Sequence, residues 1–271
     1  VKQILILAGI VLTCALSALA AEASPTSQIL IPSTDIQKFL KLRLDIDNFF
    51  RGSGNPEATP YPGASRDANV LDLGLTVGVL PYQKLQMEVG CDYLVTANDP
   101  NDQHPWSGNL KLVTPEGSLF DQSPALALGV YNARPVKDVA TADAPSVVSG
   151  QNIFYGLAAK TLPSLGGLPA LGRFSAGYYR GSRRALVDSS GRPDNTGLLL
   201  SWDRVIGEIS DRLWVGVDYF GGHNSNGAVS MAFSWAFANN VSLLFGYNMY
   251  THQNLAGSNT FTTQVSIEIP K

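Results

Sequence analysis

The chain has 271 residues, is 15% charged and 45% hydrophobic, and carries a formal net charge of -3. That length suits one domain or a single barrel of intermediate size. The near-neutral balance excludes the basic footprint of a nucleic-acid binder, and it leaves no long-range field of one sign to gather a polyanionic partner.

The first segment reads as an export signal and not as part of the fold. Lys2 gives a short positive start, Ile4 to Ala20 is apolar, and both Ala18-Leu19-Ala20 and Ala21-Glu22-Ala23 offer a small-x-small cleavage site. We expect residues 1–23 to be removed, leaving a mature domain over 24–271. Cys91 is then the only cysteine, so neither an internal disulfide nor a Cys/His metal spacing remains, and no cofactor motif is present. No later stretch is long and apolar enough for a transmembrane helix. An exported chain of this kind is either soluble or crosses a membrane as a closed barrel.

From Ile36 onward the hydrophobic period is two and not 3.6. Leu40, Leu42, Leu44 and Ile46 alternate with Lys41, Arg43, Asp45 and Asp47. Leu71, Leu73, Leu75 and Val77 alternate with Asp72, Gly74, Thr76 and Gly78. Leu85, Met87, Val89, Cys91 and Tyr93 alternate with Gln86, Glu88, Gly90 and Asp92. Each segment approaches the ~9–11 residues that cross a bilayer obliquely as a strand. Further strands are predicted near 107–113, 124–132, 152–161, 172–181, 197–204, 212–221, 227–237, 241–250 and 260–269. The last three alternate most clearly, as in Val229, Met231, Phe233, Trp235 and Phe237 against Ala228, Ser230, Ala232, Ser234 and Ala236.

The connections sort into two kinds. Long polar loops cover 51–68, 95–106, 134–151 and 182–196, whereas Leu80-Pro81-Tyr82-Gln83, 114–123, 162–171, 205–211 and Ala238-Asn239-Asn240 are compact. Only 222–226 is short on the long-loop side. Long loops on one rim and short turns on the other make an all-β, antiparallel up-and-down barrel of about twelve strands. Over roughly 36–269 this pattern resembles the bacterial outer-membrane β-barrels, porin-like at the level of the class. The resemblance implies a transmembrane barrel in the outer membrane, surrounded by lipid and lipopolysaccharide, with both termini periplasmic. It also implies a passive channel for small hydrophilic solutes or ions.

The apolar stripes then face lipid, with Tyr93, Trp202, Tyr219, Trp235, Phe237 and Tyr247 near strand ends at interface depth. Twelve strands tilted by about 40° close a wall roughly 24 Å across. The opposite parity puts Lys41, Arg43, Asp45, Asp72, Glu88, Asp92, Lys160, Asp203, Asp218 and Glu268 on the lumen as candidate pore-lining residues. Acidic groups outnumber basic ones in that set, which points to a mild preference for cations. Paired internal charges that plug the barrel are the alternative, which would leave a closed structural or surface-binding barrel whose loops make the contacts.

One string carries a second chemistry. His223-Asn224-Ser225-Asn226-Gly227 resembles the serine-hydrolase motif of outer-membrane phospholipase and of the lipid A deacylases. The resemblance implies His223 as base and Ser225 as nucleophile of a lipid-facing esterase. The same string is rich in turn formers between two strands, which favours a hairpin. His104, in a loop with Asp99 and Asp102, and His252 fall near the same rim. Arg180, Arg183, Arg184 and Arg192 cluster around 182–196, where they could meet lipopolysaccharide phosphates.

Overall fold

A computed structural model of the chain describes residues 26–51, 70–96, 106–135, 150–164, 166 and 169–269. The expected export signal, His104 and most of three predicted loops lie outside these residues. The period-two segments form twelve strands: β1 Leu42–Arg51, β2 Val70–Gly78, β3 Gln86–Thr96, β4 Trp106–Thr114, β5 Ala125–Ala133 and β6 Ile153–Leu162. They continue as β7 Gly172–Arg180, β8 Thr196–Val205, β9 Leu213–Phe220, β10 Ala228–Ala238, β11 Val241–Tyr250 and β12 Thr260–Ile269. A short helix, α1 (Gln253–Ala256), sits in the last connection.

Every strand pairs antiparallel with its chain neighbours, and β1 closes the ring on β12 from Leu42 opposite Ile269 to Arg51 opposite Thr260. Closure leaves no free strand edge, so the ladders of the wall pair backbone with backbone all the way round. Outward-facing residues form an exposed apolar belt that includes Leu75, Leu128, Phe154, Phe174, Leu198, Phe233, Phe245 and Phe261. A belt of that kind all round the wall is the lipid-facing surface of a transmembrane barrel.

One expectation is corrected at the start of the wall. Residues 36–41 alternate like a strand, but the ladder begins at Leu42. Leu40 takes a positive φ of 57°, which breaks the extended run. The preceding chain crosses β2 at Gly78, where a Cβ would stand 2.1 Å from the Lys38 carbonyl oxygen. Only glycine leaves room for that crossing.

Beyond the crossing, residues 26–38 lie inside the barrel. Ser27 bridges Pro32, and the Gln28 N–H donates to the Ile31 carbonyl at 2.8 Å, so the segment is a tight re-entrant loop. Its apolar tip is buried, with Ile31 packed among Val113, Tyr155, Leu157, Leu199 and Phe220, and Ile29 against Trp214 and Leu244. From the opposite rim the β7–β8 connection also folds inward, burying Ala185, Leu186 and Val187. The lumen of this barrel is therefore largely filled by its own chain.

Candidate functional site in the barrel lumen

Ion pairs and hydrogen bonds from charged residues of the wall hold the re-entrant segment. Asp218 Oδ2 accepts the backbone N–H groups of Ile29, Leu30 and Ile31 at 2.9, 2.8 and 3.2 Å. Three consecutive amides converging on one carboxylate form an anion nest, and here the anion belongs to the wall. Asp203 accepts from Gln28 Nε2 at 2.8 Å, and Gln264 donates to the Ile29 carbonyl at 2.9 Å. Arg173 grips Asp35 through both terminal nitrogens at 2.6 and 2.8 Å and reaches Asp203 with Nε at 2.9 Å. Lys111 Nζ donates to the carbonyls of Thr26 and Asp35 and pairs with Glu88 at 2.9 Å. Glu88 takes the Gln37 N–H at 2.7 Å, and Glu268 accepts from Gln37 Nε2 at 3.3 Å.

Of the ten residues predicted to line the lumen, Glu88, Asp203, Asp218 and Glu268 thus contact the inserted segment. Lys41 pairs with Glu268 at 3.3 Å, and Arg43 pairs with Asp45 at 2.8 Å while Ser266 bridges to the same carboxylate. Lys160 is placed elsewhere. On β6 the inward set is Ile153, Tyr155, Leu157 and Ala159, so Lys160 is out of phase with the lumen, and it pairs with Glu116 on the short-turn rim at 2.7 Å. Charge alone points Lys160 inward, whereas the phase of β6 turns it out.

Asp72 and Asp92 face open space. Above the segment lies a cavity of about 340 Å³, lined by Asp45, Asp47, Asp72, Asp92 and Asn109 on one side and by Leu30, Tyr131 and Phe220 on the other. Strand register concentrates the carboxylates. Asp47 stands directly opposite Asp72, and Gly74 separates Asp45 from Asp92 on the two flanking strands. Asp92 accepts one bond, from Asn109 Nδ2 at 2.5 Å, and Asp72 Oδ1 is buried without a hydrogen-bond partner among the described residues. No ion pair reaches Asp47, Asp72 or Asp92 among those residues. Like charges set opposite each other in a sheet destabilise it, so this patch is not explained by stability.

Asp47, Lys111 and Arg173 are the residues that the sequence reading did not place on the lumen. Parity was the available signal: Lys111 lies between Leu110 and Leu112, Asp47 follows Ile46, and Arg173 precedes Phe174.

The His-x-Ser-Asn-Gly string occupies the β9–β10 hairpin. Its histidine does have an orienting carboxylate, since Asp194 Oδ2 accepts the His223 N–H at 2.9 Å and its Nδ1 at 3.1 Å. Ser225, however, lines the internal cavity, whereas the His223 side chain is 78% exposed. No hydrogen bond between them occurs among the described residues, so the base and nucleophile are not assembled. Among the rim arginines, Arg192 pairs with Asp188 at 3.1 Å, while Arg180, Arg183 and Arg184 are exposed.

No family model matches the sequence, and no curated protein matches it. Solved structures do match. The COG4313 outer membrane channel from Pseudomonas putida F1 is similar with a TM-score of 0.50 at 12% identity, over 87% of this chain and 97% of that one. Omp33, an outer membrane protein of Acinetobacter baumannii, aligns at a TM-score of 0.39 and 10% identity over 89% of this chain and 100% of that one. OprB of Pseudomonas putida aligns at 0.38 and 8% over 84% and 93% respectively. At such identities the first likeness concerns the fold.

Proposed function

We propose that this barrel is a restricted outer-membrane channel that admits small hydrophilic solutes or ions and favours cations. The carboxylate patch Asp45, Asp47, Asp72 and Asp92 carries this reading. It faces a cavity of about 340 Å³, where Arg43 pairs with Asp45 and the lining Lys111 pairs with Glu88. Carboxylates in a low-dielectric wall raise the local concentration of cations and repel anions. The fold shared with an outer membrane channel supports the same reading.

In this reading residues 1–23 direct export and are removed, and both termini face the periplasm. The exposed Arg180, Arg183 and Arg184 then stand at the outer leaflet, where guanidinium groups suit lipopolysaccharide phosphates. The chain works without a catalytic step, because Ser225 and His223 lie on different sides of their hairpin.

Single-channel recording of the refolded protein in a planar bilayer under a salt gradient tests this. We expect small stepwise openings with a cation-selective reversal potential that moves towards zero in Asp72→Asn and Asp92→Asn. Insertion without conductance, or a reversal potential indifferent to both substitutions, would overturn the proposal.

A further inference from the structure

Among the described residues two histidines of the long-loop rim, His223 and His252, meet although they lie 29 positions apart in sequence. The ring centroids of His223 and His252 lie 5.2 Å apart with planes at 71°. Two imidazoles bound through Nε2 to one tetrahedral ion, at about 2.1 Å each, place their ring centres about 5 Å apart. The ring nitrogens are also sorted for that purpose. An ionised carboxylate only accepts, so His223 Nδ1 must carry the proton that it shares with Asp194 at 3.1 Å. That leaves the Nε2 lone pair of a neutral His223 free. His252 Nδ1 lies 3.0 Å from Thr251 Oγ1, and in the tautomer whose Nδ1–H donates to that hydroxyl the Nε2 lone pair is open to an ion.

A ring nitrogen held by a carboxylate behind the ligating one is the usual support of a metal-bound histidine, since it fixes the tautomer and raises ligand basicity. The support is itself rigid. Asn224, fully buried, donates to the Asp194 carbonyl at 2.6 Å and to Tyr179 Oη at 2.8 Å, and Tyr179 donates to the Gly221 carbonyl at 2.8 Å. The Thr251 N–H donates to the Gly227 carbonyl at 2.9 Å, tying the connection that carries His252 to the hairpin that carries His223.

We infer that His223 and His252 form a rim site for a borderline divalent cation, zinc, nickel or copper(II), with Asp194 positioning His223. Among the described residues no group of three or more histidine, cysteine or carboxylate side chains gathers for a metal. The ion is accordingly held by two imidazoles and completed by water. Imidazole suits these three ions and not calcium or magnesium, which take oxygen ligands. Ser225 and Asn226 from the same hairpin, and Tyr250 at the end of β11, line the cavity. A bound ion would therefore staple together the two connections beside the cavity mouth.

Titration calorimetry of the refolded, micelle-bound protein with zinc chloride tests the site, with calcium chloride as the negative control. We expect one saturable zinc per chain and none for calcium. His223→Ala and His252→Ala should each abolish the zinc heat, and Asp194→Asn should weaken binding by about 10–100-fold. Heat-modifiable gel mobility, which reports the closed barrel, should be unchanged in all three variants. Absence of saturable zinc binding, or wild-type binding in either alanine variant, would overturn the inference.

Discussion

The two halves of the lumen follow one alternation rule and reach opposite ends. Along β5 to β9 the apolar inward residues Ala127, Tyr155, Leu157, Tyr179, Leu199 and Phe220 form one buried cluster with Ile31 and Leu186. Tyr155 lies so close over β5 that a Cβ at Gly129 would come within 2.5 Å of its hydroxyl. Along β1 to β4 the cavity is lined by Asp45, Asp47, Asp72, Gly74, Gly90 and Asp92, among others, and space remains. Side-chain volume and charge, not backbone architecture, therefore decide where the barrel is solid and where it is hollow. The inserted segment respects this division. Its apolar tip packs against the solid half, and ion pairs fasten its polar flanks.

The largest expected effect comes from removing the segment. Deleting residues 26–38 should raise single-channel conductance several-fold, because the space they fill would open while Arg173 and Lys111 keep Asp203 and Glu88 as partners. Asp218→Ala should move part of the way, since it leaves the buried amides of Ile29 and Ile31 without their acceptor at a cost of about 1–3 kcal/mol each before relaxation. Conductance unchanged in the deletion would show that the narrowing lies elsewhere.

A smaller effect distinguishes the halves by stability. Leu157→Ala, in the packed half, should destabilise the barrel by about 2–5 kcal/mol. Asp72→Asn, in the hollow half, should leave stability unchanged or raise it by relieving repulsion with Asp47. Equilibrium unfolding in denaturant, followed by tryptophan fluorescence, reads both. Equal destabilisation by the two would erase the contrast between solid and hollow.

The smallest effect lies outside the lumen, on the turn rim. Burial raises the Glu116 pKa, but hydrogen bonds from Lys160 and Thr161 outweigh it and hold the carboxyl below its ordinary value. A depressed folded-state pKa contributes stability above the unfolded value and loses it as pH falls through the folded one. Glu116→Gln should therefore cost less than about 1 kcal/mol at neutral pH, as exposed pairs do, and nothing in acid. A pH-independent loss in the same unfolding assay would point to a packing role instead.

The wall was legible in the sequence because its signal is local. Alternation of Leu71 to Val77 with Asp72 to Gly78 specifies a strand and a lipid face within one stretch of chain. The twelve strands follow from that rule, including β4, whose pattern is weak. The contents of the lumen were not legible. Thr26 to Asp35 mixes apolar and polar residues without a period, and Pro32 argues against a strand. Its partners Asp203, Asp218 and Gln264 lie far along the chain. The same distance hid Asp194 behind His223 and brought Lys160 into the predicted lining, since neither a partner nor a phase is written beside the residue.

The nest around Asp218 also orders events in time. Its amides lie 187, 188 and 189 residues away along the chain, and they close on a site that exists only once β8, β9 and β10 have paired. Contacts so distant form late, because the entropy of closing their loop is repaid only when the intervening structure is in place. The first residues of the fold are thus the last to settle. A newly closed barrel is then expected to pass through a stage with an open interior, and a last refolding phase that changes conductance but not strand content would show it.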